Sequence, residues 1–216
     1  TNYFIDWSEW AIKRMKTYTI AQRIKEKKEK KVIKQSYETT ACAVFRSPDK
    51  FFLESISFSR TGVYSPTFRI GSTSAFDTEG SMIFQKTFNN IVLLGILSSK
   101  IEKYKLKNFV GHTVHTQVDE LKELLVILKE IKIDKFINDI IQKQKHEPRY
   151  DYASHEQIDI DKLVYEAYGL NAEDIEEVEN WYARRYPKLS AAQKANLRKL
   201  GKSDDYLVLY GLKEEK

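Results

Sequence analysis

Side chains suited to binding nucleic acid are spread between residues 57 and 117. They are arginines, a lysine, histidines, a tyrosine, and hydroxyl or amide groups. The twelve candidates for DNA binding are Ser57, Ser59, Arg60, Thr61, Tyr64, Thr67, Arg69, Lys86, His112, Thr113, His115 and Gln117. Readout of duplex DNA needs cations against phosphate and paired donors against base edges, and arginine supplies both. Arg60 and Arg69 are therefore the main candidates for base or minor-groove contact. A surface ion pair, such as Arg60 with Glu54, is the competing interpretation.

Motifs for catalysis are absent from the sequence. None of the eight glycines falls at the spacing of a phosphate-binding loop, a dinucleotide fingerprint or a nucleophile elbow. Glu120–Lys122 and Glu130–Lys132 form the Glu-x-Lys element of metal-dependent nucleases, which arises by chance in a sequence with 36 Lys or Arg and 31 Asp or Glu. His112 and His115 could share a metal, but Asp119 is the nearest acid and no cysteine is close. We therefore predict no catalytic residue, no metal and no cofactor-binding residue.

Charge is distributed unevenly along the 216 residues, whose net formal charge is +5. Residues 1–110 contain 19 Lys or Arg and 10 Asp or Glu, whereas residues 111–216 contain 17 and 21. A basic half joined to an acidic half is typical of a polyanion-binding surface on a solvated scaffold, although lysine-rich helices give the same counts without a partner. No basic amphipathic helix with a bulky apolar face stands out, so the pattern favours nucleic acid over a membrane.

Composition restricts the class of protein further. A hydrophobic content of 42% is enough for the core of one domain or slightly more. Cys42 is the single cysteine, which excludes an internal disulfide and indicates a reducing compartment, so we expect a cytoplasmic protein. No apolar run approaches the roughly 18 residues of a membrane span, and no signal peptide opens the sequence. Because the first residue is Thr1, we expect a part of a longer polypeptide, with catalytic motifs upstream.

The first 37 residues are predicted to form a helical, basic segment. Asp6 and Glu9 are spaced as a helix-capping signal, and the helix should run into the lysine tract Lys25–Lys34. We interpret that tract as a solvated helix face or a flexible arm, with phosphate contact as the alternative.

A small antiparallel sheet is predicted next. Its strands are four short runs rich in Phe, Ile, Val, Ser and Thr, namely Ala41–Phe45, Phe51–Ser59, Pro66–Ile70 and Ser81–Phe84. A turn over Ser47–Lys50 should join the first two as a hairpin. Alternation predicts an apolar face and a polar face, with Ile56 and Phe58 opposite Ser55, Ser57 and Ser59, and with Phe68 and Ile70 opposite Thr67 and Arg69. An exposed row of hydroxyls and arginine suits phosphates and base edges, although ordinary solvent-facing strands share this composition.

Helices are predicted for the rest of the chain. Asn89 and Asn90 can cap a helix that packs on the sheet through a stripe of Ile91, Leu94, Leu97, Ile101 and Tyr104. Its last turns contain four lysines that the helix dipole favours and that could also contact phosphate, namely Lys100, Lys103, Lys105 and Lys107. A second helical stretch follows, then a linker over Arg149–Gln157 and three short helices. In these helices we expect Leu163, Val164, Ala167, Trp181 and Tyr182 to be buried, and a capping box over Ser190–Gln193 to open the last.

These elements predict an α+β fold, with a small, mostly antiparallel sheet flanked by helices and with a C-terminal helical appendage. We expect four segments. They are a helical basic linker over 1–37, a β-rich DNA target-recognition core with its packed helix over 38–118, a helical spacer over 119–148 and a C-terminal helical region over 149–216.

Four stretches together resemble the specificity region of large adenine-specific DNA methyltransferases, as found in bacterial type IIG restriction-modification enzymes and in BREX phage defence. They are SISFSRTGVYSPTFRIGSTSAFDTEGSMIF at Ser55–Phe84, LLGILSSK within Ile91–Lys107, HTVHTQVDELKEL at His112–Leu124 and IDIDKLVYEAYGLNAEDIEEVE at Ile158–Glu179. The last is the most specific, because its order, spacing and position in the chain all agree with the ending of those enzymes. The sequence departs from the family at His112, where Asn is frequent, and near Leu125–Leu128, where a proline is common.

The resemblance implies sequence-specific recognition of double-stranded DNA as the specificity domain of an adenine-N6 DNA methyltransferase. The Pro-Pro-Tyr-type catalytic tetrapeptide and the cofactor loop of the family do not occur here. The resemblance therefore implies an upstream methyltransferase domain as a partner. S-adenosylmethionine would bind to that domain and not to this chain. Whether a nuclease accompanies the methyltransferase stays open. The competing class is a docking or structural module without DNA binding, whose patch would be Trp181, Tyr182, Arg184, Arg185 and Tyr186.

Overall fold

The structure, a computed structural model, describes residues 6–43, 47–71, 73–76, 80–111, 113–127 and 131–214. The chain divides into two compact units, Thr1–Phe51 and Phe52–Lys216. The predicted α+β class, with a small antiparallel sheet among helices, is confirmed. Among the residues described, no helix is both long and apolar enough to cross a membrane.

The first unit contains three short helices, α1 Glu9–Thr17, α2 Ile20–Glu26 and α3 Gln35–Thr39. The prediction of one helix running into the lysine tract is wrong. The backbone is extended at Tyr18, and Thr19 starts α2 with a capping box in which it exchanges hydrogen bonds with Gln22. Ser8, whose side chain accepts from the Ala11 N–H, is the N-cap of α1. Most of the lysine tract therefore lies beyond the end of α2.

The predicted hairpin over residues 41–59 is also wrong. Ala41 forms only an isolated bridge with Thr19, and residues 44 and 45 lie outside the described part of the chain. The second unit instead has a three-stranded antiparallel sheet of β1 Ile56–Phe58, β2 Phe68–Ile70 and β3 Met82–Ile83 in the order β2-β1-β3. The central strand β1 thus pairs on its two sides with β2 and β3, which both follow it in the sequence.

The described residues of the second unit also form eight α-helices. They are α4 Asn90–Ser98, α5 Lys100–Lys105, α6 Val118–Glu123, α7 Asp134–His146, α8 Glu156–Tyr168, α9 Ala172–Arg185, α10 Pro187–Lys199 and α11 Tyr206–Leu209. A π-helical turn, Leu106–Val110, follows α5, and a 3-10 turn, Tyr152–Ser154, precedes α8. α4 packs on β2 and against α7, and Gly95 permits the close approach to α7, because a Cβ there would lie 2.6 Å from Ile133 Cδ1.

The predicted helix after Asn89 is two helices, because the backbone at Ser99 is extended and its hydroxyl caps α5. The predicted second helical stretch is likewise interrupted between α6 and α7. The predicted linker Arg149–Gln157 is a packed segment, in which Ser154 and Gln157 are buried. The capping box at Ser190–Gln193 is wrong, since both residues are buried inside α10.

A buried polar network joins α5, α8, α9 and α11. The Lys100 ammonium lies 2.7 Å from one Glu179 oxygen and 3.0 Å from the other, and both side chains are 3% exposed. Glu179 also accepts from the Tyr165 and Tyr210 hydroxyls at 3.0 and 2.7 Å. Asp161 accepts from the Lys100 N–H at 2.9 Å. The contacts of Lys100 and Glu179 thus stabilise two charges that would be costly to bury alone.

The residues predicted to be buried in the C-terminal helices are buried to different extents. Val164 is fully inaccessible, as predicted. The other four are partly exposed, namely Leu163, Ala167, Trp181 and Tyr182.

Candidate nucleic-acid interface

Two distant segments of the second unit pair as a short antiparallel ribbon. Thr61 and His115 form its bridge. The Gly62 N–H donates to the Val114 carbonyl at 2.8 Å, and the Thr116 N–H donates to the Arg60 carbonyl at 2.7 Å. The ribbon therefore brings together two groups of predicted DNA-binding residues that are about 50 positions apart in the sequence.

Side chains also connect the two segments of the ribbon. The Arg60 guanidinium donates to the Gln117 amide oxygen at 2.7 Å, and the Thr61 hydroxyl lies 3.1 Å from His115 Nδ1. The Thr113 hydroxyl donates to the His115 carbonyl at 2.6 Å. Thr61, Thr113, His115 and Gln117 are exposed, whereas Arg60 is partly buried. His112 lies outside the described residues.

Arg69 lies on the edge strand β2 and is exposed. Its Nε donates to the Ser57 hydroxyl at 3.2 Å, because the register pairs Ser57 directly with Arg69. The ladder continues beyond the strands, where the Ser59 N–H donates to the Thr67 carbonyl at 3.1 Å. Alternation therefore puts the exposed Thr67 on the same face as Arg69.

The predicted row of exposed hydroxyls along β1 is wrong. Ser55 and Ser57 are 2% and 9% exposed, and Ser59 is partly buried. The reason is that side chains of the two neighbouring strands contact these hydroxyls. The Ser57 hydroxyl is bound by Arg69, and the Ser55 hydroxyl lies 3.1 Å from Met82 Sδ.

Tyr64 is exposed in the loop between β1 and β2, and the end of α9 holds this loop. The Tyr186 hydroxyl accepts from the Ser65 N–H at 3.1 Å and donates to the Ser65 hydroxyl at 3.0 Å. Arg185 donates to the Val63 carbonyl at 2.6 Å. The Tyr64 ring lies 5.0 Å from the Tyr186 ring.

Lys86 is exposed but follows β3, on the side of β1 away from β2, so the sheet order separates it from Arg69. It is not among the residues that the ribbon and β2 bring together.

Three of the four lysines assigned a possible phosphate role are used inside the protein. Burial alone would lower the pKa of Lys100, but the charges of Glu179 and Asp161, with smaller contributions from Tyr206 and the hydrogen bond to Glu179, together outweigh burial and raise the pKa above its usual value. Lys105 bonds Glu102 at 2.9 Å and the Tyr168 hydroxyl at 2.9 Å. Lys107 donates to the Thr113 carbonyl at 3.0 Å and so supports the ribbon.

An open cleft of about 730 Å³ lies beside β2, which the sequence analysis missed. Five tyrosines line it, contributed by the β1–β2 loop, the segment before α8, and α9 with its end; they are Tyr64, Tyr150, Tyr152, Tyr182 and Tyr186. Lys103 and Arg69 also line it. The 13 tyrosines of the chain were a signal for such a site, but their sequence positions do not indicate that they meet.

The described residues contain no group of three or more His, Cys, Asp or Glu side chains placed to hold a metal ion. Comparison with known protein families found no family that matches the sequence, and comparison with curated proteins found no match either.

Proposed function

We propose that this chain recognises double-stranded DNA in a sequence-specific manner, as the specificity region of an adenine-N6 DNA methyltransferase. The surface responsible, called the recognition surface below, consists of Arg60, Thr61, Thr67, Arg69, Thr113, His115 and Gln117. The observation that carries the proposal is the antiparallel ribbon, because it gathers exposed donors and acceptors from two distant segments on a backbone held by hydrogen bonds.

Arg69 has the role of reading a base in this proposal. Its Nε–H is used by Ser57, which orients the guanidinium, while no hydrogen bond from the described residues uses its two terminal amino groups. Two parallel donors match the O6 and N7 acceptors of guanine in the major groove, and a planar guanidinium also fits a narrow minor groove.

Gln117 is the second residue proposed to read a base. Its amide oxygen accepts from Arg60, so its amide nitrogen is oriented and can donate to a base acceptor. Arg60 then acts mainly by positioning Gln117 and by adding positive charge near the phosphates.

The methyltransferase part of the proposal rests on the resemblance of the four sequence stretches. An upstream methyltransferase domain would bind S-adenosylmethionine and carry out the transfer, and this chain would select the site. No catalytic role is proposed for any residue of the chain.

The docking alternative is less well supported, because the residues of its patch make contacts within the protein. Tyr186 is 6% exposed, and the Tyr182 ring stacks on it at 4.7 Å. Trp181 packs edge-on against Tyr104 at 5.4 Å, and Arg185 holds the β1–β2 loop. Arg184 pairs with Glu177, so all five residues make contacts within the protein, and we do not propose a docking function.

DNA binding is tested by fluorescence anisotropy with labelled random duplexes over a series of salt concentrations. We expect the logarithm of the affinity to fall linearly with the logarithm of the salt concentration, because phosphate contacts release counterions. Absence of binding to any duplex at low salt would refute the proposal.

Specificity is tested by selecting bound duplexes from a randomised library. Arg69→Lys should keep the nonspecific affinity, since the charge is unchanged, and should lose about 1 to 3 kcal/mol of discrimination per affected base pair. The control is Arg184→Ala, an exposed arginine that pairs with Glu177 outside the recognition surface. An unchanged sequence preference in Arg69→Lys would remove Arg69 from the base-reading residues.

A further inference from the structure

The cleft beside β2, called the tyrosine cleft below, combines a lysine with aromatic walls. Lys103 lines it and is partly buried. No hydrogen bond or salt bridge within the described residues uses the Lys103 ammonium, which lies 5.9 Å from the centre of the Tyr182 ring. Lys100, one helical turn earlier on the same helix, is by contrast fully paired with Glu179.

The electrostatic environment of Lys103 leaves its charge uncompensated. Burial and, to a smaller extent, the neighbouring Lys100 lower the pKa of Lys103, and the attraction of Asp161 only partly opposes them. An anion that entered the cleft would supply the missing partner and would form a charge-assisted hydrogen bond in a partly desolvated place.

The charge of the whole lining favours an anion as well. Among the described residues that line the cleft, three are cationic, Arg69, Lys103 and Lys145, and one is anionic, Asp151. The Asp151 carboxylate is itself occupied, since it accepts from the Asn196 amide at 2.8 Å and from the Ser154 N–H at 3.3 Å. The lining therefore has an excess of positive charge.

The aromatic walls favour a planar ligand group. Tyr64, Tyr186 and Tyr182 form a continuous series of rings with centroid separations of 5.0 and 4.7 Å. Tyr64 and Tyr152 expose the most surface among the lining tyrosines, at 55% and 37%. Stacking of a nucleobase on such a ring contributes to binding whatever the base, because every base has a flat aromatic face. The volume lies within the usual range of sites for small ligands.

We propose that the tyrosine cleft binds a nucleoside monophosphate group, with its base against the tyrosine rings and its phosphate at the Lys103 ammonium. This group can belong to a free nucleotide or to an unpaired nucleotide of DNA bound at the adjacent recognition surface, with which the cleft shares Thr67 and Arg69. The DNA source rests on the proposed function, whereas the free nucleotide does not.

The first experiment is isothermal titration of the whole chain with the four deoxynucleoside 5′-monophosphates, with the deoxynucleosides and with inorganic phosphate. Nucleotides should bind more tightly than either part alone. Lys103→Met should weaken nucleotide binding by at least about tenfold, because it removes a charged hydrogen bond. Tyr64→Leu or Tyr152→Leu should weaken it by about fivefold or more, because a stacking surface is lost.

Two variants serve as controls in this titration. Lys135→Met makes the same chemical change at an exposed lysine of α7 outside the cleft and should leave the affinity unchanged. Gln117→Ala alters the recognition surface alone and should also leave the affinity for free nucleotides unchanged. Circular dichroism establishes that each variant is folded.

The second experiment compares a fully paired duplex with one that contains a single unpaired nucleotide. A preference of the wild-type chain for the second duplex, lost in Lys103→Met, identifies DNA as the source. The proposal is overturned if no nucleotide binds and the unpaired nucleotide gives no preference. It is also overturned if inorganic phosphate binds as tightly as nucleotides and neither tyrosine variant has an effect. Failure of the proposed function appears differently, as absence of binding to any duplex while free nucleotides still bind.

Discussion

Lys100 and Lys103 lie one turn apart on α5, and replacing each with methionine should change stability in opposite directions. Methionine keeps the length and the apolar stem of lysine but removes the charge. In Lys100→Met the Glu179 carboxylate would stay buried, and the donors left to it among the described residues would be the Tyr165 and Tyr210 hydroxyls. Removing one partner of a buried ion pair costs about 3 to 5 kcal/mol, so we expect the free energy of unfolding to fall by that amount.

Lys103→Met should instead raise the free energy of unfolding at neutral pH. The lowered pKa of Lys103 means that the folded environment disfavours its charged form, whereas water in the unfolded chain does not. Because the unfolded state binds the Lys103 proton more tightly, the free energy of unfolding of the wild type is reduced at pH values below the folded-state pKa of Lys103. This reduction disappears as the pH rises toward the pKa that Lys103 has in the unfolded chain. The advantage of Lys103→Met should therefore shrink between pH 7 and pH 11.

Urea denaturation, followed by circular dichroism at both pH values, measures the two free energies. The wild-type chain and Lys135→Met are the references, the latter because its lysine is exposed. If Lys103→Met lost as much stability as Lys100→Met, Lys103 would have a structural partner, and the reasoning about an uncompensated cation would be refuted.

Four further substitutions test the packing and the buried charge. Burial outweighs the attraction of the Lys100 charge and raises the pKa of Asp161 to about 6, so the wild type loses stability as the pH rises from the unfolded pKa through the folded one. Asp161→Asn should therefore gain about 2 to 3 kcal/mol relative to wild type between pH 4 and pH 8, and an equal effect at both pH values would contradict this. Val164→Ala should lower the free energy of unfolding by about 1 to 3 kcal/mol and Leu163→Ala by less, because Val164 is fully buried and Leu163 is partly exposed. A larger loss for Leu163→Ala than for Val164→Ala in urea denaturation would contradict the assigned packing. Gly95→Leu should lower the melting temperature clearly, since its side chain would meet Ile133, and an unchanged melting temperature would mean that α4 and α7 are not so close.

The sequence predicted the parts of the fold that depend on local pattern. The alternation of Phe58 and Phe68 with polar residues correctly assigned them to the buried face, and the apolar stripe after Asn89 correctly predicted helix packed on the sheet. The break at Ser99 was missed because a serine is compatible with both a helix interior and a cap. The choice depends on Asp161, about 60 residues later, which accepts the first N–H of α5.

The sequence predicted individual candidate residues of the site but not which of them lie next to one another. Thr61 and His115 each fit a polar contact, yet only the long-range bridge makes them neighbours. Ser57 was assigned to an exposed face because alternation indicates which residues of a strand share a face. It does not indicate whether other parts of the protein cover the second face. Tyr186 was assigned to an outer patch, although its hydroxyl is bound by Ser65.

The hydrogen bonds that fix the ribbon belong largely to the main chain. The Gly62 N–H with the Val114 carbonyl and the Thr116 N–H with the Arg60 carbonyl make the same contacts whatever side chains stand at Thr61 and His115. The backbone of the ribbon therefore does not depend on the side chains at these two exposed positions, so many substitutions there should leave the protein folded. Under the proposed function, side chains of the ribbon could therefore be exchanged to change the binding preference while its backbone stays as it is.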